Sequence, residues 1–169
     1  MGRAAKLCSV AVLITLTLAT PAYGQRPTRE FMPLPDRIEL PNVCSDFTIV
    51  ADILVNREYG ITFTDANGDP IRTITQGSLV VRLTNPENGE SIVRNISGPG
   101  EIVFHADGSN TQTAHGAWFL FFFEGQLGTG MTGTGFVNHG QVVFVNNADG
   151  TATILSQTGN FEDVCVTLG

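Results

Sequence analysis

Gly116-Ala117-Trp118-Phe119-Leu120-Phe121-Phe122-Phe123 is the stretch whose reading decides the fold class. It is too short to cross a bilayer as a helix, which takes about 20 apolar residues. Its aromatic content and neighbouring glycines favour a β-strand. In a strand, Trp118, Leu120 and Phe122 share one face, and Phe119, Phe121 and Phe123 share the other. A half-exposed strand would alternate apolar with polar residues. This one does not, so both faces need a cover. A proline-rich segment upstream, a glycine-threonine loop downstream or a second copy of the chain could each provide it, the last making a homo-oligomer a candidate partner.

Outward from that stretch the pattern is strand after strand. Asp46–Asn56, Tyr59–Thr64, Ile71–Thr75, Leu79–Thr84, Ser91–Ser97, Glu101–His105, Thr111–Phe123, Phe136–Val145, Thr151–Thr158 and a last short strand over Phe161–Leu168 read as extended segments. They are separated by Asn67-Gly68, Gln76-Gly77-Ser78, Pro86-Glu87-Asn88-Gly89, Gly98-Pro99-Gly100, Asp107-Gly108 and Asp149-Gly150, all turn formers. A bend is expected at Gly116. No amphipathic helical window of useful length interrupts the series. This spacing predicts an all-β antiparallel meander. It can close as an up-and-down β-barrel of about eight strands, which leaves no exposed edges, or fold over as a β-sandwich.

The ends set the compartment and the domain limits. Residues 1–24 read as a secretory signal peptide: Arg3 and Lys6, an apolar core from Leu7 to Ala19, and small residues at Ala22 and Gly24 before the cut. A secreted, extracellular protein is expected. Residues 25–43 carry Pro27, Pro33, Pro35 and Pro41 and read as an extended lead segment, ordered only towards Cys44. Residues 44–169 form the single predicted domain. With the signal removed, Cys44 and Cys165 are the only cysteines, and in an exported chain such a pair reads as a disulfide. Closing a loop of about 120 residues contributes roughly 4–5 kcal/mol in the chain-entropy account.

Charge narrows the partners. Beyond residue 24, seven arginines and no lysine stand against 16 carboxylates, a net charge of −9. Nucleic acid and anionic membranes need a basic footprint, so neither is an expected partner, and no stable membrane insertion is expected after signal removal.

Motifs for chemistry are sparse. Gly128-Thr-Gly130-Met-Thr-Gly133 spells a dinucleotide fingerprint, but that motif must open a helix inside a βαβ unit, and here a strand follows. The segment Glu124–Gly135 reads instead as a mobile hairpin loop, with a lid as the functional alternative. Asp65-Ala-Asn67-Gly-Asp69 begins like a calcium loop, yet has Pro70 at the sixth position and Gln76 at the twelfth, so a turn explains it better. His105, His115 and His139 fall on separate predicted strands. No metal site and no cofactor are expected, and no catalytic residue can be assigned. Arg94 is informative through register. The turn at residues 86–89 pairs Leu83 with Ile92 and Val81 with Arg94, placing Arg94 on the face of Ile92 and Ile96. An inward arginine needs a partner; a slip of one residue would put it in water.

Cys44-Ser-Asp-Phe47, the Asn67-Gly68 hairpin, Arg94-Asn-Ile-Ser-Gly-Pro-Gly100 and Asp163-Val-Cys165 together resemble a group of small secreted actinomycete proteins. The resemblance covers nearly all of the chain after residue 24 and implies no activity or functional residue. In outline only, such a chain is similar to allene oxide cyclase, dirigent and lipocalin barrels, which hold apolar ligands.

Three functions follow as expectations. The first is binding of an apolar small molecule in the barrel, lined by Trp118, Leu120 and Phe122 or by the opposite face, with Arg94 and His115 as polar candidates. The second is a cyclase- or isomerase-like enzyme on the same cavity. The third is a non-catalytic self-associating or interaction module.

Overall fold

The computed structural model describes residues 26–169; the segment read as a signal peptide and its expected cleavage site lie outside them. Eleven strands and one short helix make up the described residues: β1 Thr28–Phe31, β2 Arg37–Leu40, β3 Ile49–Asn56, β4 Tyr59–Thr64, β5 Pro70–Gln76, β6 Leu79–Thr84, β7 Ser91–Asn95, β8 Gly100–Phe104, β9 Asn110–Phe122, β10 Thr134–Asn146, β11 Ala152–Asp163 and α1 Val164–Leu168. They form a seven-stranded sheet in the order β1-β4-β5-β8-β9-β10-β11 and a four-stranded sheet in the order β2-β3-β6-β7, antiparallel throughout.

Turn chemistry explains the meander. Asp65-Ala-Asn-Gly-Asp69, His105-Ala-Asp-Gly-Ser109 and Asn147-Ala-Asp-Gly-Thr151 are three copies of one loop. In each, the glycine N–H donates to the first residue's carbonyl, and the first and fifth residues close the ladder. Gly68, Gly108 and Gly150 have φ of 93°, 86° and 87°, the left-handed geometry that a three-residue hairpin requires. In the first copy the Asp65 carboxylate accepts from the backbone of Asn67 and Asp69, so this loop is a hairpin tip held by its own side chain.

The two sheets are halves of one creased meander. The β3–β6 ladder continues through reciprocal Arg57 and Ser78 hydrogen bonds into the β4–β5 ladder. The β5–β8 and β6–β7 pairs likewise keep one register, which sets Gly77 opposite Gly98. Further along, Gly116 pairs with Gly140, and Gly140 with Gly159. Gly116 in turn packs 3.8 Å from the Gly98 Cα when given a Cβ, so five glycines from successive strands line up across the meander. Gly77, Gly116 and Gly159 have positive φ, and a side chain at Gly98 or Gly140 would run into the carbonyl of His115 or Thr158. Strands that switch sheets at such a bend make the corner of a sandwich. The crease is sharp in β10. Phe136 and Phe144 would stand about 26 Å apart in a straight strand, yet both rings reach Phe122, at 6.3 and 5.6 Å.

The expected barrel therefore does not close, and the sandwich is the architecture found. Folding is concentrated at the glycine line instead of being spread as even curvature, so β11 and the lead segment share no ladder. The disulfide forms, with Cys44 and Cys165 Cα atoms 5.4 Å apart, but it joins a loop to a helix, not one paired strand to another. The last segment also differs from expectation. β11 runs unbroken to Asp163, whose carboxylate caps Val166 N–H at 3.0 Å, and residues 164–168 turn as helix to bury Val164 and Leu168. The lead segment is more ordered than its prolines suggest. Its four-residue strands lie between Pro27 and Pro33 and between Pro35 and Pro41, pairing as edges with β4 and β3, where a missing N–H is tolerated.

Leu40, Val43, Ile49, Leu83, Val137, Val164 and Leu168 fill the space between the sheets around the disulfide. A second cluster gathers Leu120, Phe122, Phe136, Val142, Phe144 and Ala152, with Leu127 packed against it. Leu127 comes from the glycine-threonine loop. That loop is tied to the body by Glu124 N–H to the Asn42 carbonyl and Ala152 N–H to the Gln126 carbonyl. No helix begins in it.

Candidate functional site

Away from the disulfide the space between the sheets is open: a pocket of about 290 Å³. Ala51 and Ile53 of β3, Leu79 and Val81 of β6 and Ile96 form one wall; Phe119 and Phe121 of β9 form another; Met32 and Leu34 of the lead segment stand at the mouth. Phe119, Phe121 and Phe123 form a ladder with ring centres 5.6 and 5.7 Å apart. Phe121 and Phe123 are 39% and 40% exposed at its outer end, whereas Leu120 and Phe122 are buried in the second cluster. One face of β9 is thus covered, at Phe119, by the core of the four-stranded sheet, and the other by Phe136, Val142 and Phe144 of β10 with Leu127 of the glycine-threonine loop, while Phe121 and Phe123 stay partly exposed.

Three polar groups interrupt the apolar lining, Glu58, Thr75 and Trp118. Among the described residues, five buried side-chain polar atoms lack a partner, and three of them are Glu58 Oε1, Thr75 Oγ1 and Trp118 Nε1. The other two belong to Asn138, the cross-strand partner of Trp118. Glu58 is 9% exposed and Thr75 4%. Burial pushes the Glu58 carboxyl above its ordinary value, because the charged form loses water and gains no cation.

The crease positions all three. Glu58 is the residue at which β3 gives way to β4; its backbone is fixed by Asn56 Oδ1 on its N–H and Met32 N–H on its carbonyl. By register it faces Gly77, and Gly77 faces Gly98, so no side chain stands between the carboxyl and the third strand. Thr75 lies between Gly60 and Gly100. The Trp118 indole lies against the bare backbone of both Gly98 and Gly100, which do not turn the chain but carry it from β7 into β8. A Cβ on Gly98 would come within 2.5 Å of the indole Nε1, and one on Gly100 within 2.5 Å of its Cζ2 and 2.8 Å of Thr75 Oγ1.

Of the residues singled out from sequence, Trp118 lines this pocket together with Phe119 and Phe121 of the opposite face. Leu120 and Phe122 pack in the second cluster. His115 is exposed, and His105, His115 and His139 form no three-ligand group among the described residues. Arg94 has the expected register, opposite Val81, and the partner it requires. Its Nε and Nη2 donate to Glu162 Oε2 and Oε1 at 2.7 and 2.6 Å, clasping β7 to β11 outside the pocket. Glu58 and Thr75 carry no sequence signal of their own. The nearest hint is the pairing of Arg57-Glu58 with Gln76-Gly77-Ser78, a charged break facing a glycine turn between apolar strands.

The geometry defines an all-β sandwich with an apolar pocket and a small polar end. Among the described residues no helix is long and apolar enough to cross a membrane. Comparison with family models, with curated proteins and with solved structures finds no match for this chain.

Proposed function

We propose that the chain is an exported binding protein that holds an apolar small molecule between its two sheets. The carrying observation is the pocket itself, about 290 Å³ with a lining apolar except for three buried, unpartnered polar atoms. That volume is at the lower edge of small-ligand sites, which span about 300–1,000 Å³. Protein interiors are close-packed, so an apolar cleft left unfilled between two sheets is an exception, and an apolar occupant gains the contacts its lining lacks. Export is the reading of the N-terminal segment, and the Cys44–Cys165 disulfide and the resemblance to small secreted proteins support it.

Trp118 is the sole tryptophan, so its fluorescence reports on the pocket directly. Titrating the purified protein with an apolar probe should shift and saturate that emission. Ala51→Phe, which fills the pocket from β3, should abolish the response while leaving the far-ultraviolet circular dichroism unchanged. Equal binding by a folded Ala51→Phe variant would overturn the proposal.

A second reading, an isomerase- or cyclase-like enzyme, is favoured by one observation. A buried carboxyl with a raised pKa in an apolar pocket suits general acid–base work. Binding is preferred because Glu58 is the only acidic or basic side chain on the lining. Recovery of the ligand chemically unchanged after long incubation would exclude the enzyme.

A further inference from the structure

The polar end of the pocket also specifies the head of its ligand, an inference that rests on the binding reading above. Trp118 Nε1–H can only donate a hydrogen bond, an ionised Glu58 oxygen can only accept one, and Thr75 Oγ1 can do either. An ammonium group has no lone pair for the indole. A carboxylate brings no proton for Glu58 and adds a like charge to a lining without a cation, in a chain of net charge −7. A ketone accepts from the indole but leaves an ionised Glu58 unsatisfied. A hydrocarbon leaves all three groups unsatisfied. A neutral hydroxyl complements all of them, giving its proton to Glu58 and accepting from the indole, with Thr75 in either role. Should Glu58 carry a proton, the same hydroxyl accepts from it.

The register brings the three groups to one end of the pocket. Glu58 lies opposite Gly77 and Gly77 opposite Gly98, whose backbone the indole Nε1 adjoins, and Gly98 shares the lining with all three groups. Thr75 flanks Gly100, beneath the far edge of the indole. We propose that the ligand is an apolar alcohol whose hydroxyl sits among Glu58, Thr75 and Trp118, its chain running between Ile53 and Phe119 towards Phe121 at the mouth.

A matched series of decane, decanol, methyl octyl ketone, decylamine and decanoate, titrated at neutral pH against Trp118 fluorescence and by calorimetry, tests this. Decanol should bind about tenfold or more tightly than the other four, since each leaves a buried donor or acceptor unpaired. Thr75→Val should weaken decanol by about tenfold and leave decane unchanged, while Glu58→Gln, which keeps an acceptor oxygen, should hold decanol within about threefold. Tightest binding of the amine, the acid or the ketone would overturn the alcohol assignment, as would equal binding of decane and decanol; in each case the pocket remains a binding site. Failure of all five to bind would instead refute the binding reading itself.

Discussion

The interior between the two sheets is solid at one end and hollow at the other, although the same strands build both. On β3, Ile49 is fully buried at the solid end, while Ala51 and Ile53, two and four residues on, face the pocket. On β6, Leu83 is fully buried and Val81 and Leu79 line the pocket. Val137, Val164 and Leu168 complete the solid end, held by the disulfide. At the hollow end the opposing positions are Phe119 and Phe121, with Gly98 on the lining beneath Trp118. The hollow end therefore lies at the crease, beside the glycine line, and the solid end lies away from it.

Breaking the solid end should cost most. Cys165→Ser removes the staple and should lower unfolding free energy by about 2–5 kcal/mol, read from denaturant melts. Gly98→Ala attacks the boundary between the two ends. Its Cβ meets a carbonyl and the indole together, so we expect a loss of about 1–3 kcal/mol and an altered Trp118 emission in the unliganded protein. A stable Gly98→Ala variant with native emission would show that the glycine line is incidental.

Charged pairs sharpen the contrast at smaller scale. Arg94→Ala unclasps β7 from β11 and should cost about 1 kcal/mol, since the pair is partly exposed. The Arg94 hydrogen bond holds the Glu162 carboxyl below its ordinary value. The clasp is therefore fully present above the ordinary carboxylate range and is lost as pH falls through the depressed folded value. Acid titration of stability should show that loss in the wild type and not in Arg94→Ala.

Glu58 should behave in the opposite sense. Its raised folded value makes it a burden at neutral pH that is relieved as pH falls towards the ordinary carboxylate value. Glu58→Gln should gain up to about 1 kcal/mol at neutral pH and remove that relief. A loss of stability in this variant would mean that the carboxylate is paired in solution.

Much of the frame is legible in the sequence because it is locally encoded. The Asn-Gly and Asp-Gly turns set strand limits to within a few residues, and the turn at residues 86–89 gives the Val81–Arg94 pairing directly. Two cysteines in a chain read as exported leave one pairing to consider. The crease is legible only as the bend expected at Gly116; Gly77 and Gly98 read as turns between strands, and with Gly140 and Gly159 these glycines are about twenty residues apart and align only once every register is known. The choice of sandwich over barrel depends on that line and is hidden with it. Glu58 is missed for the same reason, and the terminal helix because five residues are too few for a period. Trp118, Phe119 and Phe121 are legible through the aromatic run, but that residues of both faces of β9 reach one pocket is not.

The indole N–H of Trp118 is the most direct witness, since it is a single resonance and has no partner in the unliganded pocket. Its proton chemical shift and solvent exchange should be followed by nuclear magnetic resonance as decanol is added to the labelled protein. A saturable downfield shift with slowed exchange is predicted, accompanied by contacts from the alkyl chain to Phe119 and Phe121. An indole resonance that stays in place while decanol demonstrably binds would put the ligand elsewhere and contradict the account.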